Sequence, residues 1–326
     1  MKKLFTVVIP LYNKEAFVRR CVDSVLSQTE TNYELIIVND GSTDGGVSVI
    51  SSYNDKRIKI INQDNEGVAC ARNRGVLESS GEWIAFLDAD DYWLSEHLEE
   101  LKILIEKYND VGIVSTRSTE LRANEYPSSL NTDLIWERKK IDYYRFSSLN
   151  SGYINSSSIA VKRVVFDDVG YFKNLKQGED TELVSRICLR WNCAFSEKLT
   201  SFYCRGTGGI METRWTQNTG DDKAMTSISD IGAAVSFLVG ELEAGNVIQS
   251  LQDSVIFFIN ARITTALKIL LYSGRANEMF PISDFYISPL SFKCYIWRKI
   301  ARQPGWLLIG FYMVRSFIRS LYRKLI

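Results

Sequence analysis

The sequence predicts an α/β protein: a mainly parallel sheet with helices on both faces, followed by a C-terminal helical region. Two observations carry that expectation. Short uninterrupted runs of aliphatic and β-branched residues alternate with segments of helical period over residues 4–115, and such alternation builds parallel sheets covered on both sides. Acidic and glycine-containing clusters then follow the predicted strands, at the carboxyl ends where ligands of such sheets bind.

Residues 4–9 are continuously apolar and stop at Pro10, as a strand buried on both faces does. Two lysines precede this run, but Tyr12, Asn13, Lys14 and Glu15 stand where a signal peptide would need small residues, so a first strand is the better reading. Val18, Cys21, Val22, Val25 and Leu26 recur at helical spacing, and residues 35–38 form the next strand. A helix over 44–52, a strand at 58–61, a helix over 68–77 and a strand at 83–87 continue the order. Leu98, Leu101, Ile105 and Tyr108 mark a helix in which His97 is expected to be exposed, and residues 111–114 a further strand. The pattern fades over 116–150, a polar stretch rich in aromatics, and returns with a strand at 158–161, a helix over 181–191 and a strand at 194–203. Residues 205–222 read as a glycine-rich connection, and 228–242 and 247–271 as helices. The expected division is a catalytic domain at 1–215, a helical region at 216–284 and a basic tail at 285–326.

Composition limits the function. Thirty-nine Lys and Arg balance thirty-nine Asp and Glu, which excludes a globally basic nucleic-acid binder. The balance is uneven along the chain: the 42 residues after Asp284 hold eight cations and no acid, leaving residues 1–284 at net minus eight. Six cysteines form no CxxC pair and His97 is the single histidine, so zinc binding is not expected and the cysteines read as reduced, buried thiols of an intracellular protein. The longest apolar runs, 231–240 and 306–314, fall short of the roughly 18 residues of a spanning helix.

Four clusters could hold chemistry. Asn39-Asp40-Gly41-Ser42 follows the second strand and suits either a nucleoside contact or a helix cap. Asn65, Gly67, Arg72, Asn73 and Gly75 lie at a strand-to-helix junction, where amides and a guanidinium can meet phosphate. Asp88-Ala89-Asp90-Asp91 is sharper. Carboxylates two residues apart on extended backbone project to one side and can address one hard cation, with Asp90 as metal ligand and Asp88 toward ribose or metal; Asp91 reads as a cap. Gly178-Glu179-Asp180 opens a helix, where acids are ordinarily dipole-stabilising, yet beside an aspartate-lined site one of them can serve as general base.

Together with Val8-Ile9-Pro10-Leu11-Tyr12-Asn13 and Ala71-Arg72-Asn73-Arg74-Gly75, these motifs resemble the inverting family 2 glycosyltransferases of GT-A fold, over residues 1–210. The resemblance implies that Asp180 is the base, with Glu179 beside it toward acceptor or sugar. It implies a nucleotide site drawn from Pro10, Tyr12, Asn13, Glu15, Asp40, Asn65, Arg72, Asp88 and Ala89, and a Mn²⁺ or Mg²⁺ ion on Asp90. The donor would be a nucleotide-diphosphate sugar, such as a UDP-sugar, and the acceptor a hydroxyl of a glycan or lipid-linked glycan in surface polysaccharide synthesis. The chain departs from the family twice: Asn39 replaces an aspartate, and no histidine falls near 205–209, so diphosphate and water would complete a metal shell. A nucleotidyltransferase on a similar sheet would need a Gly-rich, basic loop after the first strand, which Pro10-Leu11-Tyr12-Asn13 lacks; a non-catalytic scaffold would not need Asp88, Asp90 and Asp180.

In the tail, Leu307, Phe311, Val314, Phe317, Ile318, Leu321 and Leu325 fall on one side of a helical wheel, and Arg315, Arg319, Arg323 and Lys324 on the other. Such a helix suits an anionic membrane surface, placing the protein at the inner face of the cell membrane. The same apolar face also suits internal packing or a second copy of the chain.

Overall fold

The computed structural model describes residues 3–122, 125, 136–208, 231–272, 279, 283–288 and 292–302. The chain divides into two compact units, Met1–Gly220 and Asp221–Ile326.

The first unit is a nine-stranded sheet with helices. Its strands are β1 (Phe5–Leu11), β2 (Tyr33–Asp40), β3 (Ile58–Gln63), β4 (Trp83–Phe86), β5 (Tyr92–Trp93), β6 (Val111–Arg122), β7 (Arg138–Ile141), β8 (Ile159–Lys162) and β9 (Asn192–Arg205). Its helices are α1 (Glu15–Leu26), α2 (Gly46–Ser51), α3 (Val68–Leu77), α4 (His97–Lys107), α5 (Tyr143–Leu149), α6 (Arg163–Val169) and α7 (Glu179–Cys188). The strands run in the order β3-β2-β1-β4-β8-β6-β9-β5, with β7 also on β9. The half β3-β2-β1-β4 is all parallel, as the βα alternation predicts. Beyond it β8 pairs antiparallel to both β4 and β6, β6 pairs parallel to β9, and β9 carries β5 and β7 antiparallel.

Every residue of β1 and β4 is buried, which is why these strands read as unbroken apolar runs. On one face Val18, Cys21, Val22 and Val25 of α1 and Leu98, Leu101 and Leu104 of α4 join the sheet in the main core. On the other, α3 lies so close that a Cβ added to Gly75 would stand 2.3 Å from a methyl of Val8. That glycine is required by helix–strand approach.

The structure adds what the sequence pattern blurs. In the 116–150 stretch it forms the outer half of β6, then β7 and α5. His97 is fully buried, contrary to expectation. It heads α4 in register with Leu101 and Leu104, stacks on Trp93 at 4.1 Å, and shares a proton through Nδ1 with Thr200 Oγ1 at 2.8 Å. Five of the cysteines, Cys21, Cys70, Cys188, Cys193 and Cys204, are free, and all but Cys70 are buried; Cys294 lies outside the residues whose side chains are described.

The second unit contains α8 (Ala233–Glu243), α9 (Gln249–Tyr272) and α10 (Phe292–Ala301). Within it, α9 buries Val255, Phe258, Ile259, Ile263, Ala266, Leu267 and Leu270 at spacings of three and four. Asn260 brackets the backbone of Ile287, donating from Nδ2 at 2.6 Å and accepting at Oδ1 at 2.9 Å. Contrary to expectation, one helix among the described residues does meet the length and apolarity of a membrane span: Gln249–Leu271, whose most apolar window has a mean hydropathy of 1.6 and is 56% buried inside the protein. Scattered polar residues break its apolar run while its mean stays high, and its burial fits a core helix. The amphipathic pattern at 307–325 lies outside the described residues.

Candidate active site

Because β1, β2, β3 and β4 are parallel, the segments that leave their carboxyl ends lie along one edge of the sheet. The first two are locked together by reciprocal capping. Asp44 Oδ2 accepts from the amide of Glu15 at 2.8 Å, and Glu15 Oε2 accepts from the amide of Gly45 at 2.9 Å. Asn13, the one described non-glycine residue with positive φ (50°), accepts from the amide of Thr43 at 2.8 Å. The polar groups of Asn13 and Glu15 thus shape the loops, while Tyr12 beside them is 46% exposed. Pro10 lies buried within β1.

Asp40 and Asn39 work in the same way one strand over. The buried Asp40 carboxylate accepts from Gln63 Nε2 at 2.8 Å and from the amides of Glu66 and Gly67, each at 2.9 Å. It fixes the exposed loop carrying Asn65 and the start of α3. Asn39 donates to Asn62 at 2.9 Å and accepts from the amide of Ser42 at 3.0 Å, so its amide bridges two segments as a carboxylate could not.

The centre of the edge is Arg72. Only 3% exposed, it donates from one terminal nitrogen to Asp88 Oδ1 at 2.6 Å and from the other to Glu179 Oε1 at 2.7 Å. Its guanidinium lies 5.4 Å from the Phe172 ring centroid. Burial alone would depress its pKa, but the Asp88 and Glu179 charges carry it above its ordinary value. Glu179 feels the same environment with the opposite sign: burial pushes its carboxyl up against the pull of Arg72, and adjacent Asp180 adds to the rise. Gly178, in the left-handed region at φ 76°, turns the chain into α7 so that Glu179 and Asp180 open the helix. Glu179 is committed to Arg72, whereas half-buried Asp180 accepts from the amide of its neighbour Thr181 at 2.6 Å.

Asp88-Ala89-Asp90-Asp91 divides into three different carboxylates. Asp88 takes Arg72 on one oxygen and Ser156 Oγ on the other, at 3.0 Å. Ala89 is buried between its acidic neighbours. Asp90 Oδ2 meets Lys14 Nζ at 2.7 Å and accepts from Thr207 Oγ1 at 2.7 Å, while its carbonyl accepts from Arg20 at 3.0 Å. Asp91 is wholly buried, accepting from Ser157 Oγ at 2.5 Å and the amide of Cys204 at 2.8 Å. Burial and the charges of Asp90 and Asp88 push its carboxyl well up. It anchors the segment to β9.

For a divalent cation, the donor chemistry fits: Asp90 and the Thr207 oxygens are hard ligands, while the oxygens of neighbouring Asp88 are taken up by Arg72 and Ser156. Among the described residues no group of three or more His, Cys, Asp or Glu is gathered as a metal cage, so further ligands would have to arrive with a substrate.

Lys14, Arg20, Ser156, Ser157 and Thr207 escape sequence reasoning. Lys14 directly follows the Val8–Asn13 motif, but nothing in the spacing says that it crosses to Asp90. Ser156 and Ser157 sit in a run of three serines with no pattern of their own.

Comparison with known proteins identifies the family and the fold. The family described as Glycosyl transferase family 2 matches residues 6–170. Glycosyltransferase GlyA of Streptococcus pneumoniae is 39% identical over 197 residues, 60% of this chain but 24% of GlyA, so the chain spans about a quarter of that relative. Glycosyltransferase GlyG of the same organism is 30% identical over 227 residues, 66% of this chain and 75% of GlyG. Among solved structures, S. aureus TarS 1-349 in complex with UDP-GlcNAc has a TM-score of 0.55 at 18% identity, covering 92% of this chain and 90% of that one. Mannosyltransferase PcManGT from Pyrobaculum calidifontis, in complex with GDP-Man and Mn²⁺, has a TM-score of 0.60 at 15% identity, covering 95% and 87%. At such identities the two structures share the fold with this chain.

Proposed function

The chain belongs to glycosyl transferase family 2, and on that premise we propose that it moves a hexosyl or N-acetylhexosaminyl group from a nucleotide-diphosphate sugar, with UDP as nucleotide, to a hydroxyl of a glycan or lipid-linked acceptor. The observation that carries the reading is Arg72. Its two terminal nitrogens join Asp88, at the end of β4, to Glu179, at the start of α7. A donor held along the Asp88 side therefore lies beside the helix that carries Asp180.

The reaction is a single displacement. Asp180 takes the proton of the acceptor hydroxyl as its oxygen bonds to the anomeric carbon, and the bond from that carbon to the diphosphate oxygen breaks. With one base and no covalent intermediate, configuration inverts. Tyr12 faces the nucleobase and Asp88 the ribose; Asp40 and Asn65 hold the loop that borders them, and Asn13 and Glu15 hold the loops on the other side. Asp90 would hold a Mn²⁺ or Mg²⁺ ion, which would neutralise charge on the leaving diphosphate. The basic amphipathic tail supports work on a polysaccharide acceptor at the inner face of the cell membrane.

Screening UDP- and GDP-sugars for Mn²⁺-dependent nucleotide release tests the reading. Release from one sugar nucleotide that Asp180→Asn abolishes is expected; release from none, with every family of acceptor glycan supplied, would refute it.

A further inference from the structure

We propose that Lys14 is the resident counter-cation of the Asp90 carboxylate: it keeps a divalent ion out of the donor-free site and moves to the diphosphate when nucleotide and metal enter together. The proposal rests on the donor-site reading above.

Three oxygens surround the Lys14 ammonium: Asp90 Oδ2 at 2.7 Å, the Thr207 carbonyl at 2.9 Å and Thr207 Oγ1 at 3.5 Å. These are the ligands a hard divalent cation would use. An ammonium and a metal ion cannot both sit against one carboxylate oxygen without strong like-charge repulsion, and solvent screens little here, because the two side chains are 15% and 16% exposed. Asp88 offers no ready substitute, since Arg72 and Ser156 hold its oxygens.

Lys14 is also built to move at its tip alone. Its carbonyl accepts from the amides of Phe17 and Val18 at 2.9 Å each, the first turn of α1, so the backbone is fixed. Four flexible methylenes carry the charge. A diphosphate along the carboxyl edge would supply new anionic oxygens just as a metal ion claims Asp90. Metal and nucleotide binding then become reciprocally coupled, each strengthening the other.

The test is Mn²⁺ titration of the full chain, read by electron paramagnetic resonance, without nucleotide, for wild type, Lys14→Met and Lys14→Gln. Both variants should bind Mn²⁺ tenfold or more tightly than wild type, and adding Asp90→Asn should remove the gain. Lys14→Gln keeps a donor for Thr207, which guards the comparison against a loop defect. Equal or weaker Mn²⁺ binding by both variants overturns the proposal. Repeating the titration with saturating UDP should show a large strengthening in wild type and a strengthening at least tenfold smaller in Lys14→Met; identical strengthening overturns the movement to the diphosphate. UDP binding to wild type, measured separately by calorimetry, tests the donor site itself, and its absence would refute that reading while leaving the nucleotide-free Mn²⁺ comparison valid.

Discussion

At the scale of single residues, one guanidinium orders the site. Replacing Arg72 by Met would leave Asp88 and Glu179 facing each other without their shared cation, and breaking a buried pair in this way costs about 3–5 kcal/mol. Urea unfolding should show that loss, and adding Glu179→Gln should recover part of it. Asp180 and Asp90 separate by what they touch. Asp180→Asn should lower turnover roughly 10²- to 10⁴-fold with UDP binding nearly intact, because the base acts on the acceptor. Asp90→Ala should lower turnover and also weaken UDP binding in Mn²⁺, read by calorimetry. The sequence singled out these carboxylates only as a set, because each acidic cluster alone also suits a cap or a helix dipole. Asp91, read from the sequence as a helix cap, is instead buried as an anchor to Ser157 and Cys204, while Glu96 occupies the N-cap position of α4.

Among elements, the parallel half of the sheet was legible because strands buried on both faces cannot hide their composition. In the other half the start of β6, β8 and β9 were legible as well, whereas β5, β7 and the outer part of β6 were not, because they are short or half-exposed and pair with β9 from far along the chain. Long-range positioning shows the same limit. Asn73 donates to the Phe172 carbonyl at 2.8 Å and accepts from its amide at 2.9 Å, clamping the segment that leads into α7. Asn73→Ala should loosen that segment, raise trypsin cleavage at Lys173 and Lys176, and lower kcat more than it changes donor KM. His97 supplies a pH signature. Burial holds its pKa at about 3, so the folded protein keeps it neutral while the unfolded chain protonates near pH 6.5. Stability that is complete above that pH is lost as pH falls toward 3. At pH 5 the loss is about 2 kcal/mol, and urea titrations from pH 7 to 5 should show it in wild type but not in His97→Gln.

For the whole molecule, the zero net charge conceals two unlike segments: an acidic front whose carboxylates gather Arg72 and Lys14, and a cationic end free of acids. Replacing Arg315, Arg319, Arg323 and Lys324 by Ala should weaken sedimentation with phosphatidylglycerol vesicles by about 4 kcal/mol, roughly a thousandfold, if each cation contributes about 1 kcal/mol. Unchanged sedimentation would assign the apolar face to protein packing. The proposed reaction turns on one base serving one displacement. Its most direct measurement is the anomeric configuration of the transferred sugar, followed by NMR during turnover of the sugar nucleotide that the screen identifies. Inversion in the wild type, with turnover by Asp180→Asn at saturating donor lowered by roughly a hundredfold or more, is the predicted result; retention of configuration, or normal turnover by that variant, would contradict it.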